Sequence, residues 1–219
     1  MRLVIANKLY SSWSLRPWLV LRAFGIPFDE QVIPLRRAET KEHIARVSPS
    51  GKLPVLIDGD VQVWESLAII EYLAEAFPDK AIWPIDKAAR AHARSVANEM
   101  HGGFLPLRQA LPMNLAKHFK TPSLSDDAKA NVARIEQLWR KTAAEFGADG
   151  DYLFGAFSAA DAMFAPIVTR LDTYQIPVDA DTRGYMNHVL AHLAFVAWKR
   201  DALTEPWTIS DYEAGHLPA

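Results

Sequence analysis

The chain has 219 residues, no cysteine, a formal net charge of -2 and an apolar fraction of 50%. This length and apolar content are enough to fill a sizeable core, which excludes intrinsic disorder, and the nearly balanced charge argues against nucleic-acid and anionic-membrane partners. Without cysteine the protein has no disulfide, no thiolate metal site and no cysteine nucleophile, so any sulfur chemistry must come from a ligand.

The first half of the chain alternates between β-rich runs and helical patterns. A βαβ unit comes first, and Asp58-Gly59-Asp60 between the last two β-rich runs is a strong hairpin signal. Because the crossover requires parallel strands and the hairpin antiparallel ones, we expect a mixed four-stranded sheet covered by helices, which is a thioredoxin-like α/β arrangement. The predicted strands are 3–6, 28–35, 53–57 and 61–64, and the predicted helices run from near Ser14 to Gly25, over 41–47 and over 66–76.

Pro78 and Pro84 enclose a charged stretch without periodicity. Its composition is that of a linker, so we divide the chain into a domain at 1–78, a linker at 79–86 and an all-helical domain at 87–219. The helical patterns of the last part are 87–100, a run from Ser125 to Gly147, a run that begins at Ser158, and 183–203. We find neither a secretion signal nor a membrane span at the N-terminus and expect a cytoplasmic protein.

Hydroxyl side chains cluster where the first strand meets the first helix. Ser11, Ser12 and Ser14 fall at a helix N-terminus, where backbone N–H groups lack partners and carry partial positive charge, so an anion can be held there. Capping of the helix is the alternative role, since serine is common at that position. We expect Ser14 near the cap and Pro17 in the first turn, where its missing N–H costs no hydrogen bond.

Two further motifs are suited to hold an extended peptide. A cis bond between Leu53 and Pro54 would turn the backbone N–H and C=O of Leu53 outward to pair with a ligand, although an edge-strand proline is the simpler interpretation. At the next helix N-terminus, Ser66 and the free N–H groups can take a carboxylate while Glu65 takes an ammonium group. A serine cap with a flanking acid is the alternative there.

These motifs resemble, in the same order, those of the soluble glutathione S-transferases. The matching segments are Ser11 to Ser14, Ser48 to Pro54, Glu65 to Leu73, and Phe157 to Asp161. In the last segment a serine and an aspartate three residues later resemble the capping box of the family, which is structural. The first run is most similar to the zeta class among bacterial, serine-type members, but Trp13 stands where that class usually has cysteine, so no class is assigned.

The resemblance implies roles for individual residues. Ser11 is the first choice as donor to the glutathione thiolate and Ser12 the second, with Tyr10 as a rival because some classes use a phenol. Lys52 is expected at the glycyl carboxylate, the Leu53 backbone at the cysteinyl unit, and Glu65 with Ser66 at the γ-glutamyl end. The full set of implied glutathione-binding residues is Trp13, Lys52, Leu53, Pro54, Glu65 and Ser66.

The resemblance also implies a homodimeric detoxifying transferase that activates the glutathione thiol for attack on a small hydrophobic electrophile between the two domains. Two alternatives stay open: a glutathione-dependent isomerase of maleyl-type diacids, and a non-catalytic ligand-binding or protein-interaction member of the fold. The isomerases carry an arginine at the position of Thr173, and Arg170, one helical turn earlier, can face the same cleft. His188 and His192 have the spacing of two metal ligands, but no third ligand suggests itself and we predict no metal site.

Overall fold

The computed structural model describes residues 1–148 and 150–213. Four strands lie in the first part of the chain and ten helices are distributed along the described residues. The strands are β1 (Arg2–Ile5), β2 (Asp29–Val32), β3 (Val55–Asp58) and β4 (Val61–Trp64). The helices are α1 (Ser12–Ala23), α2 (Thr40–Ala45), α3 (Ser66–Ala76), α4 (Lys87–Gly102), α5 (Leu105–Ala110), α6 (Asp126–Phe146), α7 (Ala159–Thr173), α8 (Ala180–Ala191), α9 (Leu193–Ala202) and α10 (Ser210–Glu213).

The four strands form one sheet in the order β2-β1-β3-β4. β1 is parallel to β2 and antiparallel to β3, and β3 and β4 form the predicted hairpin with Asp58 paired to Val61. The predicted mixed, thioredoxin-like sheet is therefore confirmed. β2 is shorter than the predicted 28–35. Ile33 still donates its N–H to the C=O of Ile5, but Pro34 has no N–H with which to extend the ladder further.

Helix α1 begins earlier than the sequence predicts. Ser11 is the N-cap, and its hydroxyl accepts the N–H of Ser14 at 3.3 Å. The expectation of a cap near Ser14 with Pro17 in the first turn is wrong: Pro17 lies inside the helix. The Ser14 hydroxyl instead accepts the N–H of Ala6 at 3.0 Å, which ties α1 to the end of β1. The helix closes at Gly25 as predicted, with the glycine at φ +64°.

Helix α7 is the central helix of the second half. It is buried along its length and packs against α1 and α4. The predicted capping box is present, since Asp161 accepts the backbone N–H of Ser158 at 2.8 Å. Burial raises the pKa of Asp161 to about 6, even though hydrogen bonds from Ser158, Leu153 and Tyr185 favour its charged form.

The prediction of one helix over 183–203 is wrong. Helices α8 and α9 are separated at His192, whose backbone is extended (φ -58°, ψ 131°) and whose ring accepts the N–H of Ala194 at 3.2 Å. The residue at which the first helix ends therefore caps the second one. Within residues 1–148 and 150–213, no helix combines the length and apolar character needed to cross a membrane.

Candidate functional site

The loop that joins β1 to α1 is fixed by contacts with the last helices. The buried Lys8 ammonium forms ion pairs with Glu30 at 2.8 Å and Asp201 at 3.1 Å. The Lys8 N–H donates to the Glu205 carboxylate at 2.8 Å, and its C=O accepts the Trp198 indole N–H at 3.0 Å. These contacts hold the backbone immediately before α1 in one position relative to the helical half.

Ser11 and Ser12 both line a cleft of about 260 Å³ between the two halves of the chain. The Ser11 hydroxyl donates to Ser14 Oγ at 2.8 Å, and Ser14 Oγ also accepts the N–H of Ala6. The Ser12 hydroxyl accepts from Arg170 Nη2 at 3.2 Å. The cleft therefore contains two hydroxyls at a helix N-terminus, one paired with a neighbouring hydroxyl and the other with a guanidinium group.

The Tyr10 hydroxyl is engaged elsewhere. It donates to Glu213 Oε1 at 2.6 Å, and Asn114 donates to the same oxygen at 3.0 Å. Burial, together with the hydrogen bond to Glu213, raises the pKa of Tyr10 far above its ordinary value. This phenol is a poor candidate for donation to a thiolate, because its proton is already held by a carboxylate.

A second cavity of about 230 Å³ adjoins the first at Trp13, whose side chain lines both. Its remaining lining consists of Ser50, Lys52, Leu53, Pro54 and Glu65, so the structure brings most of the predicted binding residues together. The peptide bond between Leu53 and Pro54 is cis.

The N-terminus of α3 differs from the expected serine cap. Glu65 is the N-cap, its side chain makes no capping hydrogen bond, and Ser66 is the first helical residue. The Ser66 hydroxyl is fully buried, does not line the second cavity, and has no hydrogen-bond partner among residues 1–148 and 150–213. The interpretation of Ser66 as a cap is therefore wrong, because a side chain at the first helical position lies too far along to accept from the free N–H groups. Glu65 has φ +68°, a conformation that costs a non-glycine residue about 1 to 3 kcal/mol.

Three arginines lie against Trp13 or line the first cavity, and two of them were not predicted. The guanidinium carbons of Arg16 and Arg108 lie 4.5 Å and 4.7 Å from the centre of the Trp13 ring. Arg170, which the sequence suggested, lies in the cleft beside Ser12. Burial lowers the pKa of Arg16 to about 9 and that of Arg170 to about 10, so both stay charged at neutral pH. Arg16 could have been recognised from the sequence, because it is a charged residue within the apolar run of α1. No sequence pattern pointed to Arg108.

His101 of α4 is a further residue that the sequence did not identify. Its ring packs against Trp13 with the centroids 5.1 Å apart, and its Nε2 lies 3.7 Å from a carboxylate oxygen of Glu65. Burial, with the nearby charge of Arg16, lowers the pKa of His101. His101 therefore brings a side chain of the helical half against Trp13 and Glu65, two residues that line the second cavity.

The chain is similar to known proteins along most of its length. Residues 10–76 match the N-terminal domain of glutathione S-transferases. "Glutathione S-transferase 1" of Dianthus caryophyllus is 30% identical over 163 residues, 71% of each chain. "Probable maleylacetoacetate isomerase" of Caenorhabditis elegans is 28% identical over 199 residues, 86% of this chain and 91% of that one.

The architecture is also found among solved structures. A glutathione transferase homologue from Burkholderia with bound glutathione superimposes with a TM-score of 0.73 at 22% identity, covering 93% of this chain and 98% of its own. At that identity the likeness supports the fold, and the sequence relatives support the family. The chain therefore belongs to the glutathione S-transferase family, a family of glutathione-dependent enzymes.

Proposed function

We propose that the chain is a glutathione transferase that binds the tripeptide across the two cavities that meet at Trp13. The γ-glutamyl carboxylate is bound by the Ser66 hydroxyl and the free N–H groups of α3, and the ammonium group by Glu65. The Leu53 backbone, beside Pro54, pairs with the cysteinyl unit, and Lys52 binds the glycyl carboxylate. The thiol then lies at the N-terminus of α1.

One observation supports this proposal: in the part of the chain that the structure describes, the buried Ser66 hydroxyl has no partner, and it lies next to Glu65, which lines the second cavity at a helix N-terminus without a side-chain cap. A buried, unpaired hydroxyl costs about 1 to 3 kcal/mol, and that cost is removed when an anion arrives to accept from it. Such an anion would also meet the helix dipole, which favours negative charge by about 0.3 to 1 kcal/mol. The arrangement suits a carboxylate of the ligand.

Ser11 is proposed as the main donor to the thiolate. Ser14 Oγ accepts the N–H of Ala6, so its own proton is available to donate back to Ser11. That reversal frees the Ser11 proton for the sulfur. Lowering a thiol pKa from ~8.5 to ~6.5 requires about 2.7 kcal/mol. A hydroxyl donating to an anion supplies roughly 1.5 to 3 kcal/mol, so Ser11 with the helix N-terminus is enough.

In the transferase reaction the thiolate sulfur attacks an electrophilic carbon, a C–S bond forms, and the leaving group departs with its electron pair. A second candidate is glutathione-dependent isomerisation of a maleyl-type diacid, in which the thiolate adds to a double bond and later leaves again. Arg170 beside Ser12 favours this candidate, since a guanidinium group in the cleft can bind a substrate carboxylate.

Glutathione titration calorimetry followed by turnover with aryl halide, epoxide, peroxide and maleyl substrates tests the proposal. We expect glutathione binding and turnover with at least one electrophile. Absence of glutathione binding contradicts the proposal, and binding without turnover of any substrate would favour a non-catalytic member of the fold.

Assembly and location are further parts of the proposal. We propose a homodimer, supported by the exposed apolar side chains of Val61 and Trp64 on the edge strand β4, which are 47% and 41% exposed. We propose that residues 1–78 and 87–219 are separate domains joined by 79–86, and that the enzyme works in the cytoplasm, where thiols are kept reduced. Sedimentation at micromolar concentration tests the dimer, and a monomeric mass would contradict it.

A further inference from the structure

A further cavity lies in the helical half, and we call it the α6–α8 cavity. Residues of α6 and α8 form its wall together with the segment 150–153, and no residue that lines it also lines the two cavities at Trp13. Its volume is about 320 Å³. Small-molecule sites enclose roughly 300 to 1,000 Å³, so this space is large enough for a small ligand.

The buried wall of the α6–α8 cavity is aromatic and includes an unused hydrogen-bond donor. Trp139 of α6 and Tyr185 of α8 both line it, with their ring centroids 4.7 Å apart. The Tyr185 hydroxyl donates to Asp161 at 3.0 Å. Trp139 is only 2% exposed, and its indole Nε1–H has no acceptor among residues 1–148 and 150–213. Because a buried indole N–H normally has a partner, a ligand with an acceptor atom would satisfy this one.

A glycine leaves space on the α8 side of the cavity. Gly184 lies in the interior of α8, where glycine is a poorer helix former than alanine or leucine. A Cβ at this position would have no atom of another helix within 4 Å. Neither the helical backbone nor close packing therefore requires glycine here, and the volume that a larger side chain would occupy stays free.

The rim of the α6–α8 cavity carries more negative than positive charge. Asp151 and Asp181 line it and are both exposed. Arg140 lines it too, but its Nη2 donates to Asp179 at 2.6 Å, so its charge is already offset. His188 lies 3.5 Å from an Asp151 oxygen, whereas Asp181 has no cationic partner in the part of the chain that the structure describes. An ammonium group at the rim would balance this charge.

We propose that the α6–α8 cavity is a second ligand site, for a small aromatic amine with an oxygen acceptor on its ring. The ring packs against Trp139 and Tyr185, and the oxygen accepts the Trp139 N–H. The ammonium group lies near Asp151 and Asp181. Because Trp139 is buried and both carboxylates are exposed, the polar groups of the ligand are at opposite ends of the ring. The site uses no residue of the glutathione site, so it does not depend on the proposed function.

Three matched probes test the proposal by calorimetric titration at neutral pH. Tyramine has the ring, the oxygen and the ammonium group, 2-phenylethylamine lacks only the oxygen, and 3-(4-hydroxyphenyl)propionate has a carboxylate in place of the amine. We expect tyramine to bind about 10-fold more tightly than 2-phenylethylamine, because it satisfies a buried donor. It should bind about 3- to 10-fold more tightly than the propionate, a smaller factor per charge because the carboxylates are exposed to solvent.

Two substitutions at Gly184 locate the bound amine. Gly184→Leu should fill the cavity and weaken tyramine binding more than 10-fold, whereas Gly184→Ala adds one methyl group and should retain most of the affinity. Both variants place a better helix former inside α8, so neither should melt below the parent. Both should bind glutathione as the parent does, because Gly184 lies outside the glutathione site.

Substitutions of the contacting groups test the two ends of the ligand. Trp139→Phe should bring the affinities for tyramine and 2-phenylethylamine close together, since it removes the N–H and keeps an aromatic ring. Asp181→Asn should lower the preference for tyramine over the propionate about 3-fold. Asp127→Asn is its matched control, because Asp127 is an exposed acid in the first turn of α6 outside the cavity, and it should change neither ratio.

Binding of tyramine that Gly184→Leu and Gly184→Ala reduce equally, or leave equally intact, overturns the proposal, because the amine would then not occupy the space beside Gly184. Displacement of tyramine by glutathione also overturns it, since the amine would then lie in the glutathione site. If the parent binds none of the three probes, or binds them with equal affinity, the cavity holds solvent only or does not select the proposed ligand, and the proposal is wrong.

Discussion

Replacing Ser66 by alanine should separate ligand binding from helix stability. Ser66 is the first residue of α3 and does not cap it, and its buried hydroxyl has no partner among the residues that the structure describes. Loss of that hydroxyl removes no hydrogen bond from the free protein and relieves the cost of burying it unpaired, and alanine is the better helix former, so the free energy of unfolding should rise, by at most about 1 to 3 kcal/mol. In the complex the hydroxyl would donate to a carboxylate, and its loss should weaken glutathione binding by about 1.5 to 3 kcal/mol, roughly 10- to 150-fold.

Calorimetric titration with glutathione and thermal melts of the same samples measure the two effects. Ser125→Ala is the matched control, because the Ser125 hydroxyl does accept the N–H of Ala128 at the start of α6. That variant should lose about 0.5 to 2 kcal/mol, or roughly 1 to 8 °C in Tm, without a change in glutathione affinity. If Ser66→Ala lost stability like the control and bound glutathione as the parent does, Ser66 would be a cap and the proposed orientation of the tripeptide would be wrong.

Three other predictions concern the thiol, the γ-glutamyl end and the capping box. Ser11→Ala should lower turnover more than Ser12→Ala does, and Tyr10→Phe should leave turnover largely intact; steady-state assays in which only Tyr10→Phe abolished activity would reverse the assignment. Glu65→Ala should weaken glutathione binding by about 1 to 3 kcal/mol in calorimetry, whereas Glu65→Gly should in addition unfold at higher temperature than Glu65→Ala, because glycine accepts the positive φ. Burial raises the pKa of Asp161 to about 6, so the folded protein holds this proton more tightly than the unfolded chain does. The stability that protonation of Asp161 contributes is therefore present at low pH, and it should fall by about 2 kcal/mol as pH rises from ~4 to ~6. Denaturant titrations of the parent and Asp161→Asn across that range should show this difference, and parallel pH profiles would contradict it.

The parts of the fold that depend on local pattern followed from the sequence. The hairpin at Asp58 has a turn signal, α3 has helical spacing between a polar start and Pro78, and the capping box at Ser158 lies within four residues. The predicted start of α1 was wrong because two side chains could each take the same role. Ser11 and Ser14 are both able to cap a helix, and only the contact of Ser14 with Ala6 decides between them.

The candidate site was predicted only in part, because some of its residues belong to local motifs and others do not. The residues from the first half form short motifs, so Leu53, Pro54 and Glu65 could be selected from their neighbours. His101 and Arg108 belong to no motif and reach Trp13 only because α4 and α5 are folded against α1, a long-range arrangement that no local pattern encodes. The charge of the cleft therefore could not be predicted from local patterns and required the structure.

Contacts of Lys8 tie the start of the chain to its last helices. Lys8 binds Asp201 and Glu205, which lie in the last part of the chain, and it precedes the serines of α1. Through Lys8 the helical half holds the N-terminus of α1 in place. The cleft between the two halves of the chain stays open to a ligand.

The most direct test of the account is the pKa of the glutathione thiol when it is bound. Titration of thiolate absorbance in the ultraviolet, with the enzyme saturated in glutathione, measures it for the parent and for Ser11→Ala. We expect the bound thiol of the parent to ionise about 1 to 2 pH units below the ~8.5 of a free thiol, and Ser11→Ala to return most of that difference. A bound thiol that ionises like free glutathione in the parent would contradict the claim that the α1 N-terminus activates it.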